Sequence, residues 1–200
     1  CDTKGACAAS GGWKVESYAF NASGYLDGTA KTAKFQRPGG LGTDLKGNLY
    51  VADVTGHRIR KVTAGGVVST VVGNGSATGM FLSGQPVAVH VPNPAGVAVI
   101  GSEVYWSSSS HHYIGRWQES VQGGPHIIDL VAGTVTTGTT AGGVSGFKNG
   151  LGTTAKFNKP LGLATKSGGA DIFVADSGNH CVRVLTTQVA GGLLFEVTTH

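Results

Sequence analysis

The chain has 200 residues, of which 40% are hydrophobic and 13% are charged, and its formal net charge is +4. This apolar content is enough to bury a core, and the apolar runs are too regular for an intrinsically disordered chain. No dense stripe of Lys and Arg is present, which argues against nucleic-acid binding, and no run approaches 18 apolar residues, so no membrane span is expected.

Residues 1–26 read as a polar lead followed by one strand. Cys1 and Cys7 are close enough in sequence to form a disulfide in an oxidising compartment. The chain opens on Cys1 without Met, which we interpret as the start of a trimmed, secreted product. The segment 13–20 predicts a strand, and it aligns with a later outer strand when the sequence is shifted by 53 residues. We therefore expect it to be the outer strand of a sheet whose other strands precede this chain.

Residues 27–76 predict four short antiparallel strands. Apolar runs at 41–43, 48–52, 58–62 and 67–72 are too short for helices, and the turn residues between them favour tight strand connections. The 34 glycines of the chain suit such turns, because glycine adopts positive φ angles without steric cost. A small sheet with apolar side chains on both faces must be covered on both faces, so this unit needs neighbours.

The same pattern returns twice. The segment 159–162 repeats 37–40, and 172–180 repeats 49–57, while a degenerate copy lies between them. The repeat-equivalent positions predicted to have a structural role are Tyr50, Asp53 and His57 in the first copy, Tyr105 and His112 in the second, and Phe173, Asp176 and His180 in the third. Repeats of this size with four strands each are typical of propeller blades.

The first copy reads F-x-x-P-x-G, then GNLYVAD, then GHRIRKV, and it resembles the NHL repeat. The third copy, with FNKPLG and IFVADSGNHCVRV, resembles it almost as closely, whereas the middle copy departs at Val91, Ser108 and Gly115. The resemblance implies an all-β fold, a β-propeller of four-stranded blades. On this division, residues 1–26 are the lead and an outer strand of a preceding blade, 27–76 are blade 1, 77–134 are the degenerate blade 2, and 135–200 are blade 3.

Three blades and one extra outer strand do not close a ring, because propellers have at least four blades. Exposed sheet edges would aggregate. We therefore expect an incomplete ring or one half of a six-bladed ring, with further blades from the same or another chain as partners.

Two Asn-x-Ser sequons are candidate glycosylation sites. Asn21 and Asn74 occupy the same position relative to an outer strand, where the chain is expected to reach the rim. If the protein is secreted, both are expected to be exposed to glycosylation.

The sequence predicts no metal, cofactor or catalytic site. The repeat-equivalent histidines fall one per blade and do not converge on one ion. Asp53 and Asp176 are expected to accept backbone hydrogen bonds in the turn after the second strand. Cys181 is interpreted as a small buried hydrophobic residue. No serine nucleophile motif is present.

Three hypotheses for function follow. The first is a non-enzymatic, extracellular interaction or scaffold module that binds a protein or a glycan. The second is an enzyme resembling NHL-type amidating lyases or strictosidine synthases, with its site at the ring centre, where the first strands bring almost nothing ionisable. The third is an RNA-binding propeller, which requires one continuous basic face made of Arg58, Lys61, Arg116 and Arg183.

Overall fold

The computed structural model describes residues 23–78, 89–120, 126–136, 143–166, 169–187 and 195–199. Within these ranges the chain forms three antiparallel sheets and two one-turn 3-10 helices, Gly152–Thr154 and Ser177–Asn179. None of the helices in these ranges is long and apolar enough to cross a membrane. The prediction of an all-β chain is confirmed.

In the first sheet the four longer strands lie side by side in chain order, from the inner strand to the outer edge. Its strands are β1 (Gly28–Thr29), β2 (Pro38–Thr43), β3 (Leu49–Asp53), β4 (Arg58–Val62) and β5 (Val67–Val72). The predicted apolar runs coincide with β3, β4 and β5 to within one residue, and the first strand extends back to Pro38. Short apolar runs between turn residues were therefore sufficient to place these strands.

The longer strands of the second and third sheets follow the same order. The second contains β6 (Pro94–Ile100), β7 (Glu103–Ser108), β8 (Tyr113–Gln118) and β9 (Ile127–Ala132). The third contains β10 (Gly150–Leu151), β11 (Pro160–Thr165), β12 (Ile172–Asp176), β13 (Cys181–Thr187) and β14 (Phe195–Thr199).

Two of the sheets have a fifth, two-residue strand on the outer edge. β1 pairs with β5 through Gly28 and Val68, and β10 pairs with β14 through Gly150 and Val197. The sequence gives no signal for these strands, because a segment of two residues shows no alternation of apolar and polar side chains. The added strands cover part of the edges of β5 and β14, which protects those edges from other chains.

The three sheets stack face to face in chain order. One core lies between the first and second sheets and includes Ile59 and Val72 from one side and Trp106 and Trp117 from the other. A second core lies between the second and third sheets and includes Ile114 of one and Ile172, Val174, Leu185 and Val197 of the other. The facing sides of adjacent sheets are therefore buried because each sheet covers the next.

The inner strands approach one another closely at glycines. A Cβ atom added to Gly40 on β2 would lie 2.7 Å from the Cα atom of Gly96 on β6. A Cβ atom added to Gly96 would lie 2.7 Å from the backbone nitrogen of Leu163 on β11. Both positions require glycine because the neighbouring backbone occupies the space that a side chain would need.

Candidate binding site at the ends of the inner strands

The predicted aromatic landmarks occupy matching positions in the three sheets. Tyr50, Tyr105 and Phe173 lie on the second strand of their sheets, opposite Lys61, Arg116 and Val184 respectively. Tyr50 and Tyr105 are buried, whereas Phe173 is half-buried. The three copies therefore share one register, as the sequence predicted.

Asp53 and Asp176 are fully buried and bind backbone amides. Asp53 Oδ1 accepts hydrogen bonds from the amides of Gln36 at 3.0 Å and Arg37 at 2.8 Å, and Asp176 Oδ1 accepts one from Asn158 at 2.7 Å. These amides lie just before the inner strand and not in the turn after the second strand, so the expected partners were wrong. The two carboxylates fix the segments that lead into the first and third blades.

Two buried arginines complete this arrangement. Arg60 donates to the carbonyl oxygens of Lys34 at 3.0 Å and Leu26 at 2.9 Å, and to Asp27 at 2.6 Å. Its Nη1 also lies 3.7 Å from Asp53 Oδ2. The Arg60 guanidinium is buried because its two Nη groups bind two carbonyl oxygens and a carboxylate, while its Nε has no hydrogen-bond partner among the described residues.

Arg183 repeats these contacts in the third sheet. It donates to the carbonyl oxygens of Lys156 at 3.1 Å and Lys148 at 2.9 Å, and to the side-chain oxygen of Asn149 at 2.6 Å. Its ion pair with Asp176 measures 3.1 Å. Arg60 and Arg183 therefore clamp equivalent connections onto equivalent blades.

The basic face required for RNA binding is not formed by the described residues. Arg183 is fully buried, and Arg116 is buried between Glu103, at 2.8 Å, and Asp129. Lys61 is paired with Glu119 at 3.2 Å. These charged side chains form ion pairs with neighbouring carboxylates, so they do not present a common surface to phosphate groups.

The middle sheet replaces the buried arginine with an aromatic ring. Trp106 lies directly opposite Gly115, in the positions that Val51 and Arg60 occupy in the first sheet. A Cβ atom on Gly115 would collide with the Trp106 ring. Trp106 is fully buried. The glycine at residue 115, where the other copies have an arginine, therefore makes room for the Trp106 ring.

Two of the predicted histidines link neighbouring blades. His57 Nδ1 accepts a hydrogen bond from the amide of Asn93 at 3.1 Å, and His112 Nδ1 accepts one from the amide of Lys159 at 3.0 Å. Burial lowers the pKa of both histidines, and the positive charges of Arg58 and Lys159 lower the pKa of His57 and His112 further. Neither is placed to bind metal, and no group of three metal-ligating side chains occurs in the described residues.

Five predicted residues need separate mention. Cys1, Cys7 and Asn21 lie outside the described residues. Asn74 is exposed, and its Oδ1 accepts a hydrogen bond from the amide of Ser76 at 2.9 Å. Cys181 is half-buried and not fully buried as expected.

A cleft of about 440 Å³ opens where the three inner strands end. It is lined by 43–45 after β2, by 99–101 at the end of β6, by 165–166 at the end of β11, and by Gly169. The lining positions are repeat-equivalent, with Asp44, Ile100 and Lys166 in corresponding places. No shared motif marks this site in the sequence, although equal spacing from the Pro-x-Gly of each copy relates its three positions.

The turn that carries Asp44 is rigid. Asp44 Oδ1 accepts hydrogen bonds from the amides of Lys46 at 2.9 Å and Asn48 at 2.8 Å, and Oδ2 accepts one from the Asn48 side chain at 2.7 Å. Burial alone would raise the pKa of Asp44, but these hydrogen bonds outweigh it and lower the pKa. Leu45, at the tip of the turn, is completely exposed.

Comparison with known proteins agrees with this description. The NHL repeat family matches residues 157–185. The chain is 28% identical over 180 residues to the protein SUPPRESSOR OF QUENCHING 1, chloroplastic, of Arabidopsis thaliana, covering 86% of this chain and 16% of that protein. The chain therefore spans a small part of that relative.

Solved structures with a similar fold include auxiliary nutrient binding proteins from two Bacteroides species. The match to the Bacteroides thetaiotaomicron protein has a TM-score of 0.57 at 18% identity and covers 84% of this chain and 37% of that chain. The Bacteroides ovatus protein gives a TM-score of 0.57 at 18% identity, covering 85% and 37%. Residues 157–185 are thus an NHL repeat, and the three stacked sheets give the chain the fold of a β-propeller.

Proposed function

We propose that this chain is a non-enzymatic binding module, acting outside the cell, that holds a protein or glycan partner in the cleft at the ends of its inner strands. The observation that carries the proposal is the convergence of Asp44, Ile100 and Lys166 from three blades on one cleft. An acidic, an apolar and a basic side chain in one concave surface supply specific contacts for a polar ligand.

The chemistry of the cleft supports binding more than catalysis. Asp44 uses both carboxylate oxygens within its own turn, and its lowered pKa keeps it ionised, so it has no proton to donate. A general acid requires a pKa near the working pH. Leu45 instead offers an exposed apolar contact beside these charges, an arrangement typical of recognition surfaces.

The Bacteroides structures with the same fold are described as nutrient binding proteins, and a ligand-binding role for this chain is in keeping with them. The exposed sequon at Asn74 favours a secreted location, whereas the Arabidopsis relative is described as chloroplastic. Glycosylation of Asn74 distinguishes these locations.

The test is a binding screen of the whole chain against a glycan array and a peptide library. A ligand found with the wild-type chain should bind about tenfold or more weakly to Leu45→Glu and to Lys166→Glu. Val67→Glu is the matched control, because Val67 is an apolar residue exposed at a different turn. Unchanged binding by both cleft variants would contradict the proposed site, and chemical conversion of the ligand would contradict a non-enzymatic role.

A further inference from the structure

The cleft at the ends of the inner strands is lined by two ionisable side chains, Asp44 and Lys166, and only one of them is free to bind a ligand. Asp44 Oδ1 accepts hydrogen bonds from the amides of Lys46 and Asn48. Its Oδ2 accepts one from the Asn48 side chain at 2.7 Å and one from the Tyr50 hydroxyl at 3.4 Å. An ionised carboxylate has about four acceptor positions, so Asp44 has none left for a ligand.

Lys166 belongs to the third sheet and has no internal partner for its charge. Its backbone oxygen accepts a hydrogen bond from the amide of Gly169 at 2.9 Å, which closes the turn that carries it. Its side chain is exposed and forms no ion pair or hydrogen bond with the described residues. An unpaired ammonium in a concave surface attracts an anionic group, and a carboxylate can accept its hydrogen bonds.

The lining between these two charges is aliphatic. Val99 and Ile100 of the second sheet line the cleft, and Leu45 is fully exposed at the tip of the first turn. Beside them, a Cβ atom added to Gly101 would have no other atom within 4 Å, so the cleft has room there for a ligand side chain. Aliphatic side chains of a ligand can therefore pack on this part of the cleft.

Few side-chain groups of the described lining can bind a sugar. Apart from backbone groups, they are the Lys166 ammonium and the hydroxyls of Thr43 and Thr165. A glycan presents many hydroxyl groups, and its orientation is fixed by several polar side chains placed to meet them. An aliphatic lining with one free cation fits a peptide better.

We propose, building on the binding role proposed above, that the ligand of this cleft is a peptide segment in which a carboxylate lies next to aliphatic side chains. The carboxylate pairs with Lys166, the aliphatic side chains pack on Ile100 and Leu45, and Asp44 holds the shape of its turn. The negative charge of Asp44 repels a second anionic group at its end of the cleft, so a single carboxylate binds better than a run of acidic residues.

Fluorescence polarisation of four labelled peptides with the whole chain tests this ligand class. All four share one frame of leucine and valine residues. The first peptide has an internal aspartate and an amidated end, and the second has asparagine and a free C-terminal carboxylate. The third has asparagine and an amidated end, and the fourth has lysine and an amidated end.

The wild-type chain should bind the first or the second peptide about tenfold or more tightly than the third. The fourth peptide should bind more weakly than the third, because its ammonium group faces that of Lys166. A preference between the first two peptides identifies a side chain or a chain end as the source of the carboxylate.

Lys166→Gln should reduce the preference for a carboxylate to about twofold or less, and Lys166→Glu should reverse it, so that the lysine peptide binds best. A reversed preference cannot result from a loss of folding. Lys31→Gln is the matched control, because Lys31 is an exposed lysine outside the cleft, and the preference should persist in this variant.

Three outcomes would overturn this inference while leaving the proposed function intact. They are equal binding of all four peptides, peptide binding that Leu45→Gln weakens but Lys166→Gln does not, and binding of a glycan that Leu45→Gln weakens when no peptide binds at about 1 mM. If neither Leu45→Gln nor Lys166→Gln alters the binding of any ligand of the chain, the proposed function is wrong as well.

Discussion

His112 Nδ1 accepts a hydrogen bond from the backbone amide of Lys159, 47 residues further along the chain, at 3.0 Å. The bond joins the turn before the third strand of one blade to the start of the inner strand of the next. A ring nitrogen that accepts from an amide must carry no proton, so the contact exists only with a neutral imidazole.

His112→Ala removes an acceptor from the Lys159 amide. A hydrogen bond of this kind contributes about 0.5–1.5 kcal/mol, so the melting temperature should fall by about 2–4 °C at pH 7.5. Differential scanning calorimetry measures the change. His180→Ala is the control, since His180 has the same backbone conformation and no side-chain partner among the described residues. A loss of the same size in the control would show that the bond to Lys159 is not the cause.

The stability of the chain should fall when the pH drops below about 6.5. Burial lowers the pKa of His57 and His112 from the ordinary value of 6.5, so the unfolded chain binds protons first as the pH decreases. Arg58 and Lys159 reinforce this effect, whereas Asp53 and Asp176 oppose it. The contribution is therefore present above pH 6.5 and is lost as the pH falls below 6.5 through the lowered pKa values of the folded chain.

Melting temperatures at pH 7.5 and pH 5.5 measure this dependence. The double variant His57→Ala and His112→Ala should lose less stability over this interval than the wild-type chain. Some dependence should remain, because burial also lowers the pKa of His111. An unaltered difference between the two pH values would argue against these histidines.

Arg60→Met should destabilise the chain by about 3–5 kcal/mol, because it leaves the buried Asp53 without its cation and frees two carbonyl oxygens. Chemical denaturation measures the change. Lys34→Met is the control, as Lys34 is exposed and its side chain makes no ion pair among the described residues. A small effect of Arg60→Met would mean that the clamp contributes little.

Gly96→Ala and Gly162→Ala should differ sharply. The new methyl group at residue 96 would be forced against the backbone of Leu163, which should cost about 1–3 kcal/mol. At residue 162 the methyl group meets only Ala175, so the free energy of unfolding of the 200-residue chain should change little. Denaturant titration of both variants compares the two positions, and equal losses would contradict the packing of the inner strands.

Asn74 should carry a glycan when the chain is produced through a secretory pathway. Its side chain is exposed in a turn held by the amide of Ser76, which leaves it accessible to modification. Intact mass before and after deglycosylation should differ, and the difference should shrink in Asn74→Gln. A protein isolated from its natural source without any glycan would contradict the proposed secreted location.

The strands were predictable because their signals are local. The run around Tyr50 is bounded by turn residues and its length suits a strand, and the same run returns near Phe173, so the repeat could be read directly. The contacts between repeats were harder to predict from the sequence. The donor to His112 is a backbone amide, which every residue type except proline has, so residue 159 carries no sequence signal for this bond. Arg60 is buried, but in a strand of alternating residues its sequence pattern is that of a surface residue.

The cleft illustrates the same limit. Asp44, Ile100 and Lys166 have different chemistry, so no shared motif marks them, and only their equal distance from the inner-strand prolines relates them. Their convergence follows from the stacking of three blades around one axis, which the sequence of a single repeat does not contain.

The arginine clamps also explain how much sequence variation the connections tolerate. Arg60 binds the carbonyl oxygens of Leu26 and Lys34, and Arg183 binds those of Lys148 and Lys156. Every residue type supplies such an oxygen. The positions that offer only a carbonyl oxygen to the clamp can therefore differ in side chain, as Leu26 and Lys148 do, while the connections trace the same path. New surface chemistry can arise at such positions without disturbing the framework beneath them.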